Sequence, residues 1–179
     1  FKVLIADLAD SSSIDEVVKK VSPDYFINFA AQSFVGSSWE IPLQTFDVTA
    51  LGVLRCLEAI RKYAPHCRFY SAGSSEEMGD VLYSPQDLKH EIRPRSPYGA
   101  AKASARHLTK VYRESYDLYA IHCILYNHES ERRGEEFVTR KITKNVARIH
   151  DAIKNNTSFD PLELGNIEAV SYTHLTLPT

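Results

Sequence analysis

Four short apolar runs, separated by stretches long enough for helices, limit most strongly the folds open to this chain. They are KVLIA (residues 2–6), YFINFA (25–30), CRFYSA (67–72) and YAIHCILY (119–126). Each is continuous rather than alternating, as expected of a strand covered on both faces. The stretches between them carry helix signals. SIDE (13–16) reads as a capping box, with Ser13 accepting a first-turn N–H and Glu16 reaching back. The helix it opens runs to about Val21 and stops at Ser22-Pro23. Pro42 can open a long helix in its first turn, with Val48, Leu51, Leu54, Leu57 and Ile60 as one apolar face and Ala64-Pro65 as its end. Residues 73–95 read as a loop holding Gly79, Pro85 and Pro94. A helix over about 97–116 precedes the fourth run, and another passes through EFVTRKITKNVARIHDAIK (136–154). This alternation predicts an α/β fold, a doubly wound parallel sheet.

Composition narrows the function. With 179 residues, 44% of them hydrophobic, the chain can bury one domain's core. A net charge of −2, with both signs mixed along the chain, offers no basic patch for nucleic acid. No apolar run approaches the roughly 20 residues of a membrane span. Cys56, Cys67 and Cys123 lie in or beside apolar runs without CxxC spacing and read as buried, reduced thiols, which suits a cytoplasmic enzyme. No His, Cys and carboxylate spacing suggests a metal.

In a doubly wound sheet, ligands bind beyond the carboxyl ends of the strands. The residues just after the four runs are Asp7-Leu8, Ala31-Gln32-Ser33, Gly73-Ser74-Ser75-Glu76 and Asn127-His128-Glu129, all but Leu8 and Ala31 polar, ionisable or glycine. Beside them, SPYGAAK (96–102) sets Tyr98 and Lys102 four apart, on one face of a helix. A free phenol is a poor base near neutral pH, and a nearby ammonium favours its phenolate. Ser74 adds a hydroxyl that can bond a substrate oxygen. This set suits taking a proton from an alcohol while hydride leaves the same carbon.

The chain resembles the extended short-chain dehydrogenase/reductase family, and within it the GDP-mannose 4,6-dehydratases. The resemblance rests on NFAAQSFVGSSWEIP, RFYSAGSSEEMG, RSPYGAAK, NHESERRGEEFVTRKI and LELGN, which cover most of residues 1–169 in family order. It implies a Rossmann-type sheet and a lyase that uses and regenerates NADP within each cycle. Tyr98, helped by Ser74 and Lys102, would deprotonate the sugar 4-hydroxyl while C4 hydride passes to the cofactor. Glu76 would act as base at C5 and assist loss of water from C6. Hydride would return to C6 to give GDP-4-keto-6-deoxymannose. An elimination beside a ketone needs an acid/base distinct from the phenol, and Glu76, two residues from Ser74, can share its pocket if the segment is extended.

The same resemblance implies a cofactor cradle of Asp7, Leu8, Phe29, Ala30, Ala31, Gln32, Ser33, Gln44, Tyr98, Lys102, His128 and Arg133. Gln44 stands where the family usually has Tyr. Asn127, Val138 and Lys141 are implied for GDP-mannose. The GSSEE wording also occurs in related GDP-4-keto-6-deoxyhexose reductases, so a reductase or another nucleotide-sugar epimerase/dehydratase is the alternative. A non-catalytic nucleotide-sugar-binding protein of the same fold is a second.

The family opens with a strand and a Gly-rich turn for the cofactor diphosphate, and the chain lacks both, starting at what resembles the third strand. Without the two earlier strands, KVLIA would have no neighbour in the sheet. Residues 1–133 are expected to form a partial NADP-binding domain with the catalytic residues, and 134–169 the start of a substrate region. VSYTHLTLPT (170–179) fits neither the family nor an amphipathic pattern and reads as an adapter-derived tail. The segment alone is expected to be inactive, and the full-length protein to be a homo-oligomer.

Overall fold

The computed structural model describes residues 1–165; the stretch 170–179 lies outside them. The chain divides into two compact units, Phe1–Tyr126 and Asn127–Thr179.

The first unit is built on three parallel strands, β1 (Tyr25–Asn28), β2 (Arg68–Ala72) and β3 (Ala120–Cys123), side by side in that order. The register sets Phe26 beside Phe69 and Phe69 beside Ala120. Helix α1 (Ser11–Val21) precedes β1. Between β1 and β2, a 3-10 turn (Gly36–Trp39) leads to α2 (Pro42–Phe46), a π turn (Asp47–Leu51) and α3 (Gly52–Tyr63). A single 3-10 turn (Ser75–Glu77) follows β2, and α4 (Pro97–Tyr116) leads into β3. Parallel neighbours require such crossovers.

The helix ends follow local chemistry, with one correction. α1 is capped by Asp10, whose carboxylate accepts the Ser12 N–H at 2.9 Å, and not by the expected Ser13–Glu16 box. Ser13 is already helical, and its hydroxyl accepts the Asp7 N–H at 3.0 Å. Asp10 reaches the first free N–H groups earlier and so sets the start. At the other end Ser22 takes a left-handed conformation (φ 44°) and its N–H closes on Val18. Pro42 sits in the first turn of α2, Ser96 caps α4 through the Gly99 N–H at 3.0 Å, and α4 spans the expected residues.

Of the apolar face expected from Val48 to Ile60, Leu57 and Ile60 are fully buried and the rest is not. Val53, Cys56, Leu57, Ala59 and Ile60 are buried, whereas Leu51 is exposed and Val48 and Leu54 are half-buried. A strict spacing of three falls short of a turn by about 60° at each step, and the π turn rotates the residues after it. The core joins these α3 residues to Ile14, Val18, Phe69, Ala105, Tyr112, Leu118 and Ala120. Burying a side chain such as Leu57 or Phe69 stabilises the fold by roughly 1.5–3 kcal/mol. All three cysteines are free, Cys56 and Cys67 are buried, and burial pushes the Cys56 thiol up to about 12.

The helices of this core pack on one face of the sheet. On the other, Tyr25, Ile27, Phe29, Tyr119 and Ile121 are exposed among the described residues. β1 therefore alternates between exposed and covered positions instead of being covered on both faces. Residues 2–6 form no strand, and Phe1, Val3 and Ile5 are exposed. A strand needs a hydrogen-bonded neighbour, and the described residues offer this run none.

In the second unit, α5 (Val138–Lys154) starts after Phe137 and buries none of its residues. A Lys144–Glu135 ion pair ties it to the segment before it. Among the described residues no helix is long and apolar enough to cross a membrane.

Candidate active site

The carboxyl end of β2 gathers four of the expected residues. Ser74 continues the strand in extended conformation (φ −152°, ψ 147°) and then caps the turn Ser75–Glu77. Its hydroxyl accepts the Glu76 N–H at 3.2 Å, and the Glu77 carboxylate accepts the Ser74 N–H at 2.7 Å. This is a reciprocal capping box. Two backbone bonds tie the segment to the neighbouring strand and its extension, from Gly73 N–H to the Cys123 carbonyl (2.7 Å) and from Ser75 N–H to the Leu125 carbonyl (2.8 Å). Ser74 and Glu76 are half-buried. The expected extended path from Ser74 to Glu76 is corrected: Glu76 lies on a helical turn, because the two caps bend the chain at once. Nor do Glu76 and Glu77 make a solvated pair, since Glu77 is fully buried.

α4 begins against this turn. A Cβ on Gly99 would stand 2.6 Å from the Glu76 carbonyl oxygen, so glycine is what lets the helix approach. Tyr98 is 8% exposed and Lys102 6%. The Lys102 ammonium donates to the Ala72 carbonyl at 2.5 Å and lies 5.9 Å from the centre of the Tyr98 ring. Burial pushes Lys102 down to about 8, and the Glu77 carboxylate acts the other way. An ammonium has three donors, and Ala72 takes one of them.

The other expected positions divide between the two units. Phe29, Ala30 and Ser33 are exposed just past β1, where Asn28 accepts the Ala30 N–H at 3.1 Å. Ala31 and Gln32 are half-buried, and Gln32 takes its N–H to the Thr49 hydroxyl at 3.2 Å and its side-chain amide to the Phe34 carbonyl at 3.1 Å. Gln44 is exposed on α2. Asp7 is exposed, while Leu8 packs beside Gly52 and its carbonyl accepts Arg55 at 2.8 Å. His128, Arg133, Asn127, Val138 and Lys141 belong to the second unit. There Arg133 faces Glu129 at 3.4 Å and stacks 3.5 Å over Phe137, and Val138 opens α5.

Three residues absent from the expected set lie under the Ser74 turn. Glu77 meets His122 Nε2 at 2.9 Å, and His122 Nδ1 meets the Ser71 hydroxyl at 3.0 Å. Glu77 was legible as the fourth residue of an S-x-x-E box. His122 carried no comparable local signal.

A parallel Rossmann-type sheet with a buried Tyr–Lys pair on the helix beside β2 marks a short-chain dehydrogenase/reductase type of domain. Solved structures of that type superimpose on it. The structure described as RMD from Pseudomonas aeruginosa complexed with NADPH gives a TM-score of 0.77 at 23% identity, over 85% of this chain and 52% of that one. A UDP-glucose 4-epimerase from Thermus thermophilus, complexed with NAD, gives 0.69 at 25% identity, over 86% of this chain and 49% of that one. The profile of the GDP-mannose 4,6 dehydratase family matches residues 1–174, and the chain belongs to that family. GDP-mannose 4,6 dehydratase 1 of Arabidopsis thaliana is 46% identical over 172 residues, which are 94% of this chain and 46% of that protein. The GDP-mannose 4,6-dehydratase of Vibrio cholerae is 45% identical, over 95% of this chain and 45% of that protein. The chain thus spans about half the length of the curated relatives it matches.

Proposed function

We propose that the whole protein containing this chain converts GDP-α-D-mannose to GDP-4-keto-6-deoxy-D-mannose. The observation that carries the reading is the grouping of Ser74 and Glu76 with Tyr98 and Lys102 at the end of β2, in a member of this family. Tyr98 takes the proton of the sugar 4-hydroxyl, and the Lys102 ammonium stabilises its phenolate. The Ser74 hydroxyl bonds the same sugar oxygen. With a ketone at C4, Glu76 removes the C5 proton and returns a proton to the departing C6 hydroxyl, which leaves as water. The proton that Tyr98 took from the 4-hydroxyl then returns to C5, which restores the phenolate. A nicotinamide nucleotide, when bound, supplies the acceptor and donor of one hydride. The net change is loss of one water without net oxidation.

Of the two forms named in the solved structures, NADP is the one proposed here. The buried Lys102 ammonium, with donors beyond the one given to Ala72, suits the nicotinamide ribose diol that both forms carry, and the choice of NADP follows the family resemblance. Asp7, Leu8, Phe29, Ala30, Ala31, Gln32, Ser33 and Gln44 would line the cofactor, with His128 and Arg133. Asn127, Val138 and Lys141 would hold the nucleotide sugar. Residues 1–133 would be the cofactor-binding and catalytic part and 134–169 the start of the substrate region, in a cytoplasmic homo-oligomer.

The test completes the chain at both ends with the flanking segments of the Vibrio cholerae relative and supplies GDP-mannose and NADP. The expected product is lighter by one water. Tyr98→Phe lowers the rate by about 10²–10⁴-fold. Glu76→Gln still exchanges the C4 hydrogen but stalls before water loss. Unchanged GDP-mannose with intact cofactor binding overturns the reading. Turnover of a 4-keto-6-deoxy sugar alone would support the reductase instead.

A further inference from the structure

The buried side chains under the Ser74 turn form a connected set that the mechanism above does not use. Ser71 is 1% exposed, Glu77 is fully buried, and the His122 side chain is 3% exposed. The Ser71 hydroxyl meets His122 Nδ1 at 3.0 Å, and His122 Nε2 meets Glu77 Oε1 at 2.9 Å. That oxygen also accepts the Ser74 N–H at 2.7 Å. A Cβ on Gly73 would fall 2.6 Å from it, so a glycine there makes room for the carboxylate. Glu77 Oε2 is buried without a hydrogen-bond partner. A serine, histidine and acid in a row are also the parts of a nucleophilic relay, but no substrate reaches a serine buried this deeply. The set ends instead on the backbone of Ser74.

A buried carboxylate is costly unless cations and donors face it. The titratable group in contact with Glu77 is His122 from β3, and the Glu77 charge also acts on Lys102 of α4. On its own helix Lys102 lies beside Tyr98. An ionised Glu77 has no proton to give, so His122 donates from Nε2 and the Ser71 hydroxyl closes on Nδ1. Glu77 therefore fixes the frame of Ser74 and sets a negative charge behind the ammonium that serves Tyr98.

We propose that Glu77, held by His122 and Ser71, is a positioning residue: it locks the Ser74–Glu76 turn and keeps Lys102 charged beside Tyr98. Its catalytic consequence rests on the dehydratase reading above, but its charge link to Lys102 does not. Both are testable in Glu77→Gln, which keeps an oxygen for the Ser74 N–H and removes the charge.

In the completed, ligand-free protein, the Lys102 ammonium is followed by ¹⁵N-lysine NMR against pH. The expected midpoint lies near pH 8 in the parent and lower by about one pH unit in Glu77→Gln. In the turnover assay, kcat falls about fivefold at pH 8 with KM changed less than about twofold, and the alkaline limb of the pH profile moves down. Glu77→Asp restores the limb. Should Glu77→Gln not fold, Ser71→Ala, which removes only the outer bond, shifts the limb the same way. An unmoved Lys102 midpoint, or an unmoved limb in the variant that folds, overturns the proposal. If the parent turns over no GDP-mannose, the functional reading fails alone and the NMR titration still decides the charge link.

Discussion

Ser13 and Ser74 each stand three residues ahead of a glutamate, yet only one of the two stretches is a cap. At 13–16 the serine lies inside α1, Asp10 has already taken the first free N–H, and Glu16 is exposed. At 74–77 the serine leaves β2 in extended conformation, and both reciprocal bonds form. What separates them is context. Asp10 competes at the first site, whereas the β2 terminus, Gly73 and buried His122 hold the second. The same four-residue pattern is a surface coincidence in one place and the frame of the candidate site in the other.

The largest expected effect strikes the second stretch. Glu77→Ala strands His122 and the Ser74 N–H in the interior and costs about 3 kcal/mol, read by urea unfolding of the completed chain. A cost below that of the α1 cap would break the comparison. Gly99→Ala pushes a methyl onto the Glu76 carbonyl and destabilises by roughly 1–3 kcal/mol, with loss of turnover because the turn and α4 separate. Asp10→Ala costs about 1 kcal/mol, and Glu16→Ala leaves the midpoint unchanged within error. An effect of Glu16 equal to that of Asp10 would restore a box at 13–16.

A pH scan compares two ionisable sites. Arg61 and Tyr112 hydrogen-bond Glu58 and hold its carboxyl at about 2. Its folded value lies below the unfolded one, so its contribution is present above about pH 4.5 and is lost as pH falls towards 2. Lys102 runs the other way. Its depressed value makes the charged form a cost below about pH 8, so stability rises with pH from there towards 10.5. Glu58→Gln should flatten the acid limb of stability and Lys102→Met the alkaline rise, each measured by unfolding at stepped pH.

Much of the site was legible because its chemistry is local. Tyr98 and Lys102 declare themselves by i,i+4 spacing, and Ser96-Pro97 marks the helix start that sets their direction. Glu77 was legible in principle, but the same S-x-x-E pattern drew attention to Ser13 instead. His122 was not, because it meets Glu77 across 45 residues, through the pairing of β2 with β3. The buried face of α3 is legible only at Leu57 and Ile60, since a period of three drifts off the helical repeat and the π turn adds a further rotation.

By itself the sequence determined the order of the helices and of the three strands that form, the ends of α4 and the shared face of Tyr98 and Lys102. These depend on side-chain periodicity and capping within a few residues, which any fold of this chain must respect. Tertiary structure alone decided that one sheet face is open among the described residues. It also decided that Glu77 is a buried partner of His122. Those outcomes depend on which segments meet, and so on hydrogen-bonded neighbours and shared burial that no local pattern contains.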